Sequence, residues 1–334
     1  GVTPGTDTSF WESLDDLSDT QTDPGSPPTD PPDESEVDDL DDPGTPSSSD
    51  VKIVNVSVRG HIGTGDDMRI MAFKLSGSTS VLMRGVGPGL ADFGLSGLIS
   101  DPSMRLWKYD DPDDITAGST EDTGSANDDY TSNANASTIE SAGAATFPAI
   151  TLRSAEAASL PTLSSGYYTV WVWDKNNATG LGYAAVDITD TSASASFTHI
   201  SCRGVVKPGD GAMFGGFEIV GTAGNTRKIF LRGRGASLSN WGLTGLMTDP
   251  FLRLYKFTDE AKTQSELVTE NDNYTTSSSS TEIASYATTL MGAALDSKDP
   301  GILVDLEPGS YTVVLESVDS STGNAWFGLD DVSE

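Results

Sequence analysis

Residues 82–111 read LMRGVGPGLADFGLSGLISDPSMRLWKYDD, and residues 230–259 read FLRGRGASLSNWGLTGLMTDPFLRLYKFTD. At a shift of 148, Arg84, Gly85, Gly87, Leu90, Gly94, Leu95, Gly97, Leu98, Asp101, Pro102, Arg105, Leu106, Lys108 and Asp111 all recur. Repetition over such a length makes each copy one folding unit and requires any fold to be built twice. The match spreads outward. Arg59-Gly60 answers Arg203-Gly204, Asn127-Asp128-Asp129-Tyr130 answers Asn271-Asp272-Asn273-Tyr274, and Gly166-Tyr167-Tyr168-Thr169-Val170 answers Gly309-Ser310-Tyr311-Thr312-Val313. Copy one therefore covers residues 51–190 and copy two residues 197–334, with a short TSASAS linker over 191–196.

Each copy reads as short strands. Lys52–Val58, Met68–Leu75, Val81–Arg84, Met104–Tyr109, Tyr167–Trp173 and Leu181–Ile188 are β-branched or aromatic and bounded by Gly, Asp, Asn or Pro. In copy two, Tyr311–Leu315 and Ala325–Leu329 do the same, and only Ile283–Leu295 carries a helical period. Strands at this spacing predict an all-β chain of two tandem antiparallel β-sandwich or jelly-roll-like domains. In that frame Arg84 and Arg232 end a strand, the glycines after them turn the chain, and Phe93 or Trp241 plugs the sheets under a Gly-Leu-x-Gly turn. Cys202, the one cysteine, falls on a strand and reads as a core residue. Trp171 and Trp173 share a strand face, which reads more simply as a core face than as a sugar-binding platform.

The repeated pattern resembles a module found, often in tandem, in large secreted and surface proteins of environmental Gram-negative bacteria. Its core reads R-x-x-G-P-x-L-x-x-F-G-x-x-G-x-x-x-D-P-x-x-x-L, followed by N-D-N-W and P-G-x-Y-T. Copy one carries Arg84, Gly87-Pro88, Leu90, Phe93-Gly94, Gly97, Asp101-Pro102 and Leu106. Copy two has Ala236 and Trp241 in place of the Pro and Phe, and both copies have Tyr in place of the final Trp of the N-D-N-W element. The resemblance implies a fold and a location at the cell surface or outside it, and no activity.

Residues 1–50 differ from all of this. They hold 15 acidic residues, 8 prolines and no Lys or Arg, a composition that cannot bury enough apolar surface to offset its conformational entropy. They read as an extended arm with one exception. Ser9–Leu17 sets Phe10, Leu14 and Leu17 on one helical face with Trp11 beside it, and Ser9 and Glu12 have capping-box spacing. Two turns of helix are unstable alone in water, so this anchor is expected to fold against a neighbouring subunit through Phe10, Trp11, Leu14 and Leu17.

The whole chain has 50 acidic and 19 basic residues and a formal charge of -31. That charge argues against nucleic acid and anionic membrane surfaces as partners. No apolar run approaches the roughly 20 residues of a membrane span. Gly1 in place of an initiator Met fits an export signal already removed. The two histidines, His61 and His199, occupy different places in the two copies, and no spacing typical of a Ser-His-Asp triad or a zinc site is visible, so a non-enzymatic role is expected. Calcium is the cofactor with a physical case, since hard cations take several oxygens from Asp- and Asn-rich loops. The candidate ligands are Asp110, Asp111, Asp113, Asp114, Asn127, Asp128 and Asp129 in copy one, and Asp259, Asn271, Asp272 and Asn273 in copy two. The favoured function is a structural subunit of an extracellular self-assembling filament, tube or surface layer, made of copies of itself. The alternative is a monomeric adhesin or carbohydrate-binding module with the arm as a spacer.

Overall fold

The computed structural model describes residues 50–111, 118–146, 150–291 and 294–333. Its described residues form an all-β sandwich of two antiparallel sheets. Strands β1 (Lys52–Ile62), β2 (Arg69–Ser76), β3 (Thr79–Val86), β4 (Pro102–Tyr109), β5 (Ser119–Asn127), β6 (Ala157–Ser159), β7 (Thr162–Leu163), β8 (Gly166–Asp174) and β9 (Gly180–Ile188) belong to copy one. Copy two supplies β10 (Ser196–Val206), β11 (Met213–Val220), β12 (Arg227–Arg234), β13 (Pro250–Phe257), β14 (Ser265–Asn271), β15 (Gly301–Leu306), β16 (Gly309–Ser317) and β17 (Gly323–Asp331).

Both sheets run through both copies. Sheet I is ordered β14-β13-β16-β11-β1-β9-β3-β6, with β7 on β3, and sheet II is ordered β15-β12-β17-β10-β2-β8-β4-β5. The copies join edge to edge through β1–β11 and β2–β10, an arrangement with two-fold pseudosymmetry. Val56 pairs with Phe217 across one seam and Ile200 with Phe73 across the other, which is the same register after a shift of 144. Each seam carries a bulge at the equivalent place, between Ile53 and Asn55 and between Phe197 and His199. One apolar core lies between the sheets and includes Val56, Phe73, Val170, Val186, Ile200, Phe217, Val313 and Phe327 from both copies. Ser196 of the short connection already belongs to β10, and Lys52 Nζ donates to the carbonyls of Thr191 (2.6 Å) and Ala193, tying that connection to β1.

Two helices lie on the outside. Helix α1 (Ala136–Ala145) buries Ile139 over the β3 end of sheet I, with Tyr130, Ile150 and Leu152. Helix α2 (Ser280–Met291) buries Ile283 and Ala287 against Phe230 on sheet II, as the helical period over Ile283–Leu295 anticipates. Composition hid α1, because ASTIESAGAA offers one large apolar residue to its buried face.

Arg84 does not end its strand, which continues to Val86, and its guanidinium is fully buried on the outer face of sheet I. The plug under the turn is Leu90 in copy one and Leu238 in copy two, at 0% and 5% exposure, not Phe93 or Trp241. The six-residue 3-10 turns Pro88–Phe93 and Ala236–Trp241 end on Gly94 and Gly242 in the left-handed region, with φ 79° and 76°. Their last residues lie outside the core between the sheets, and Phe93 packs instead against the outer apolar cluster around Leu90. Phe93 is half-buried, and Trp241 is exposed with the Arg234 guanidinium 5.1 Å from its ring centre.

At the centre of the pseudosymmetric junction β1 and β10 face each other through Gly60 and Gly204. Arg69 fills the space they leave, 1% exposed, donating to the carbonyl of His61 at 2.8 Å and lying 3.8 Å from Cys202 Sγ. A Cβ on Gly60 or Gly204 would stand 2.7 or 2.5 Å from its guanidinium nitrogens. Cys202 is a buried core residue, as its strand position predicts. The copy-two counterpart of Arg69 is Met213.

Candidate interaction face

Strand alternation sorts each side chain to one side of its sheet. In β8, Tyr168, Val170 and Val172 enter the core, so Tyr167, Thr169, Trp171 and Trp173 point outward. In β4, Met104 and Leu106 enter it, so Arg105, Trp107 and Tyr109 point outward. The core-facing reading of Trp171 and Trp173 is thus corrected. A period of two was visible, but two adjacent faces were both aromatic, and the sequence does not say which of them is covered.

The pairing aligns these residues in rows across sheet II. One row runs His199, Lys74, Tyr167, Tyr109; the next runs Ser201, Ala72, Thr169, Trp107; the third runs Arg203, Ile70, Trp171, Arg105. Trp107 and Trp171 lie with ring centres 5.2 Å apart, Tyr109 and Tyr167 meet edge to face at 5.2 Å, and Tyr167 stacks on His199 at 5.5 Å. The Arg105 guanidinium sits 5.5 Å from the Trp173 ring centre and 3.4 Å from Glu121. All five aromatic rings are half-buried and Arg105 is exposed. A cleft of about 280 Å³ lined by Thr64, Met68, Arg105, Trp171, Trp173 and Asn177 opens at one end of the face.

The same quarter of copy two lies on sheet I, where the counterparts of Ile70, Trp107, Tyr109 and Trp171 are Phe214, Tyr255, Phe257 and Val314. There the side chains are 0–8% exposed. Two copies of one surface thus differ: one is dry, and the one with the larger rings is half open.

At the edge of the open face, His199 Nδ1 and Asp330 Oδ1 are 2.7 Å apart, and His199 Nε2 and Ser201 Oγ are 3.2 Å apart. The chain thus brings a Ser, a His and an Asp into hydrogen-bonded sequence, which the linear spacing did not disclose because Asp330 comes from β17 and pairs across the strand. Copy one explains the arrangement. Asp187 there holds buried Arg84 at 3.0 Å and accepts from Asn55 Nδ2 at 2.5 Å. In copy two Asp330 holds buried Arg232 at 2.7 Å, and His199 takes the place of Asn55. Burial works against ionisation of Asp330, yet His199 and Arg232 together hold its carboxyl below the usual range. The acid is the counter-ion of a buried arginine, and the ring completes its hydrogen bonding.

The expected calcium ligands that the structure describes lie in loops or, for Asn127 and Asn271, at strand ends, and most have local partners. Asn127 Nδ2 donates to the Asp129 carbonyl at 3.1 Å, while its Oδ1 accepts from Ala158 N at 2.9 Å. Asn271 repeats this with the Asn273 carbonyl and Gly301 N, at 3.0 and 2.9 Å. Asp128 pairs with Lys175, Asp110 accepts from Thr120, and Asp259 accepts from Thr263 and Gln264. Asp111 and Asp272 lie in the same loops. Among the described residues no three His, Cys, Asp or Glu side chains converge as a metal group. Asp113 and Asp114 lie outside the described residues, as do Phe10, Trp11, Leu14 and Leu17.

No protein-family model matches the chain, and no curated protein matches it in sequence.

Proposed function

We propose that the chain is a non-enzymatic structural subunit of an extracellular self-assembling filament, tube or surface layer, in which the N-terminal arm of one subunit docks on the next. The observation that carries this reading is the half-open aromatic face of sheet II, whose copy-two counterpart on sheet I is dry. A contiguous aromatic surface of that kind on an otherwise acidic protein marks an interaction site. The continuous sheets support the reading too, because they make a rigid two-copy block of the sort that transmits geometry from subunit to subunit. The resemblance to modules of secreted and surface proteins and the net charge of -31 favour the extracellular setting. Calcium belongs to this proposal as a bridge between acidic loops and arms of neighbouring copies, which would otherwise repel.

The test is electron microscopy and light scattering of the full chain beside a chain lacking residues 1–20, with and without calcium. Ordered assemblies of the full chain that the truncated chain does not form support the reading. A full chain that stays monomeric under all conditions overturns it. The second reading, a carbohydrate-binding module, is favoured by one feature: Trp171 and Trp173 beside the 280 Å³ cleft, where flat rings and Asn177 suit a sugar ring.

A further inference from the structure

We propose that the outer face of sheet II formed by Trp107, Trp171, Trp173 and Arg105 is the seat of the Phe10–Leu17 segment from a second copy of the chain. This rests on the assembly reading above and names the surface it uses.

Three observations converge. The first is chemical. The face offers the indole rings of Trp107 and Trp171 in contact with each other, and beside them the exposed Arg105 guanidinium, which lies between the Trp173 ring and Glu121. On a chain with 50 acidic and 19 basic residues, the complementary ligand is acidic and aromatic. The arm is both: 15 acids, no bases, and Phe10-Trp11 within one helical turn of Leu14. The second is shape. The cleft beside Trp173 shares Thr64 with a neighbouring cleft of about 520 Å³ lined by Arg203, Leu243 and Asn324. The two clefts, which Asp174 and Asp67 also line, leave room beside the indole rings for the apolar stripe of a short amphipathic helix. The third is reach. The described chain begins at Asp50, whose carboxylate accepts from Thr222 N at 3.0 Å and Asn225 Nδ2 at 2.8 Å. The 49 residues before it extend to about 160 Å at roughly 3.3 Å each, enough to reach a neighbour.

The probe is a labelled peptide of residues 1–20. The receptor is the full chain carrying Phe10→Ala and Trp11→Ala, so that its own anchor does not compete. Binding should be saturable and should weaken as salt rises. It should fall at least tenfold when Trp107→Ala and Trp171→Ala are added, and several-fold with Arg105→Glu alone, an exposed position whose change leaves the core untouched. Unchanged affinity in both variants, or no binding at all, overturns the proposal. So does retention of a neutral polysaccharide that needs Trp171 and that the peptide does not displace, which would assign the face to a sugar. The two readings fail separately. If anchor variants block assembly but the sheet II variants assemble normally, the arm docks elsewhere and this seat is wrong. If the peptide binds here while the full chain never assembles, the seat stands and the assembly reading falls.

Discussion

The Asp330 carboxylate lies 2.7 Å from the guanidinium of Arg232, with both side chains at or below 5% exposure. Removing one member of such a pair leaves the other charged and buried. Asp330→Asn should therefore lower stability by about 3–5 kcal/mol in urea unfolding. His199→Asn installs the copy-one residue and should change it by less than about 1 kcal/mol, since an amide donates to the acid as well as a ring does. If the two variants were equally destabilised, the histidine would have a role that the repeat does not explain.

Glu156 gives the fold a pH dependence near neutrality. It is fully buried beside the 3-10 turn, with Gly89 N donating to its Oε1 at 2.6 Å. Its copy-two counterpart Asp299 has Arg234 at 3.7 Å, but copy one has Val86 where Arg234 stands. Burial raises the Glu156 carboxyl to about 7, against the pull of the Gly89 and Gly87 amides and Arg153. Because the folded chain holds this proton more tightly than the unfolded one, stability should fall as pH rises from about 4.5 to about 7 and level off above. Glu156→Gln should remove that slope and be more stable than wild type at pH 8 by about 3 kcal/mol. Parallel slopes for the two proteins in this window would refute the assignment.

Among the described residues, the buried Arg69 guanidinium has a carbonyl and a thiol as its hydrogen-bond partners. Arg69→Met, which copies Met213, should keep the fold and raise stability by about 1–3 kcal/mol. Gly204→Ala in the wild type should destabilise, because its Cβ would meet the guanidinium at 2.5 Å. The same change in the Arg69→Met background should cost much less. A double-mutant cycle measures the coupling, and a value near zero would mean that the glycine answers to something else.

Asn127→Ala should lower the melting temperature, since it orphans the buried Ala158 amide, at a cost of about 1–3 kcal/mol. Asp128→Ala, at an exposed pair with Lys175, should leave the melting temperature almost unchanged. Melting both with chelator and with millimolar calcium tests the calcium proposal in the same experiment, because a cation bound only to the folded chain raises its midpoint.

Most strands were legible because Val, Ile and aromatic residues alternate between glycine and proline stops, as in Leu181–Ile188 and Tyr311–Leu315. Strand β5, STEDTGSAN, was not legible: it is an exposed edge, and its order comes from pairing with β4 rather than from its own side chains. The seams were invisible for a related reason. Backbone pairing of β1 with β11 leaves no residue signature beyond apolar alternation, which an internal strand and an edge strand share. The sequence places Arg84 and Arg232 at strand ends because glycines follow them, and gives no sign that their guanidinium groups are buried. Their partners Asp187 and Asp330 lie about a hundred residues away on strands that are otherwise mostly apolar. The aromatic face was present in the sequence, but its exposure depends on which quarter of which sheet it occupies.

The matching seams also say what a half-length chain would do. A single repeat cut from this protein would bare two edges, equivalents of β1 and β2, whose unpaired amides and carbonyls invite further strands. Two identical half-chains facing each other would close both of these edges at once with the register seen here, an isologous contact that leaves only the outer edges of the sheets unpaired. The present protein is in effect such a pair made covalent. Covalent joining removes the need for the halves to be identical, and they are not: the outer face around Tyr255 and Phe257 is buried while the one around Trp107 and Trp171 is half-buried.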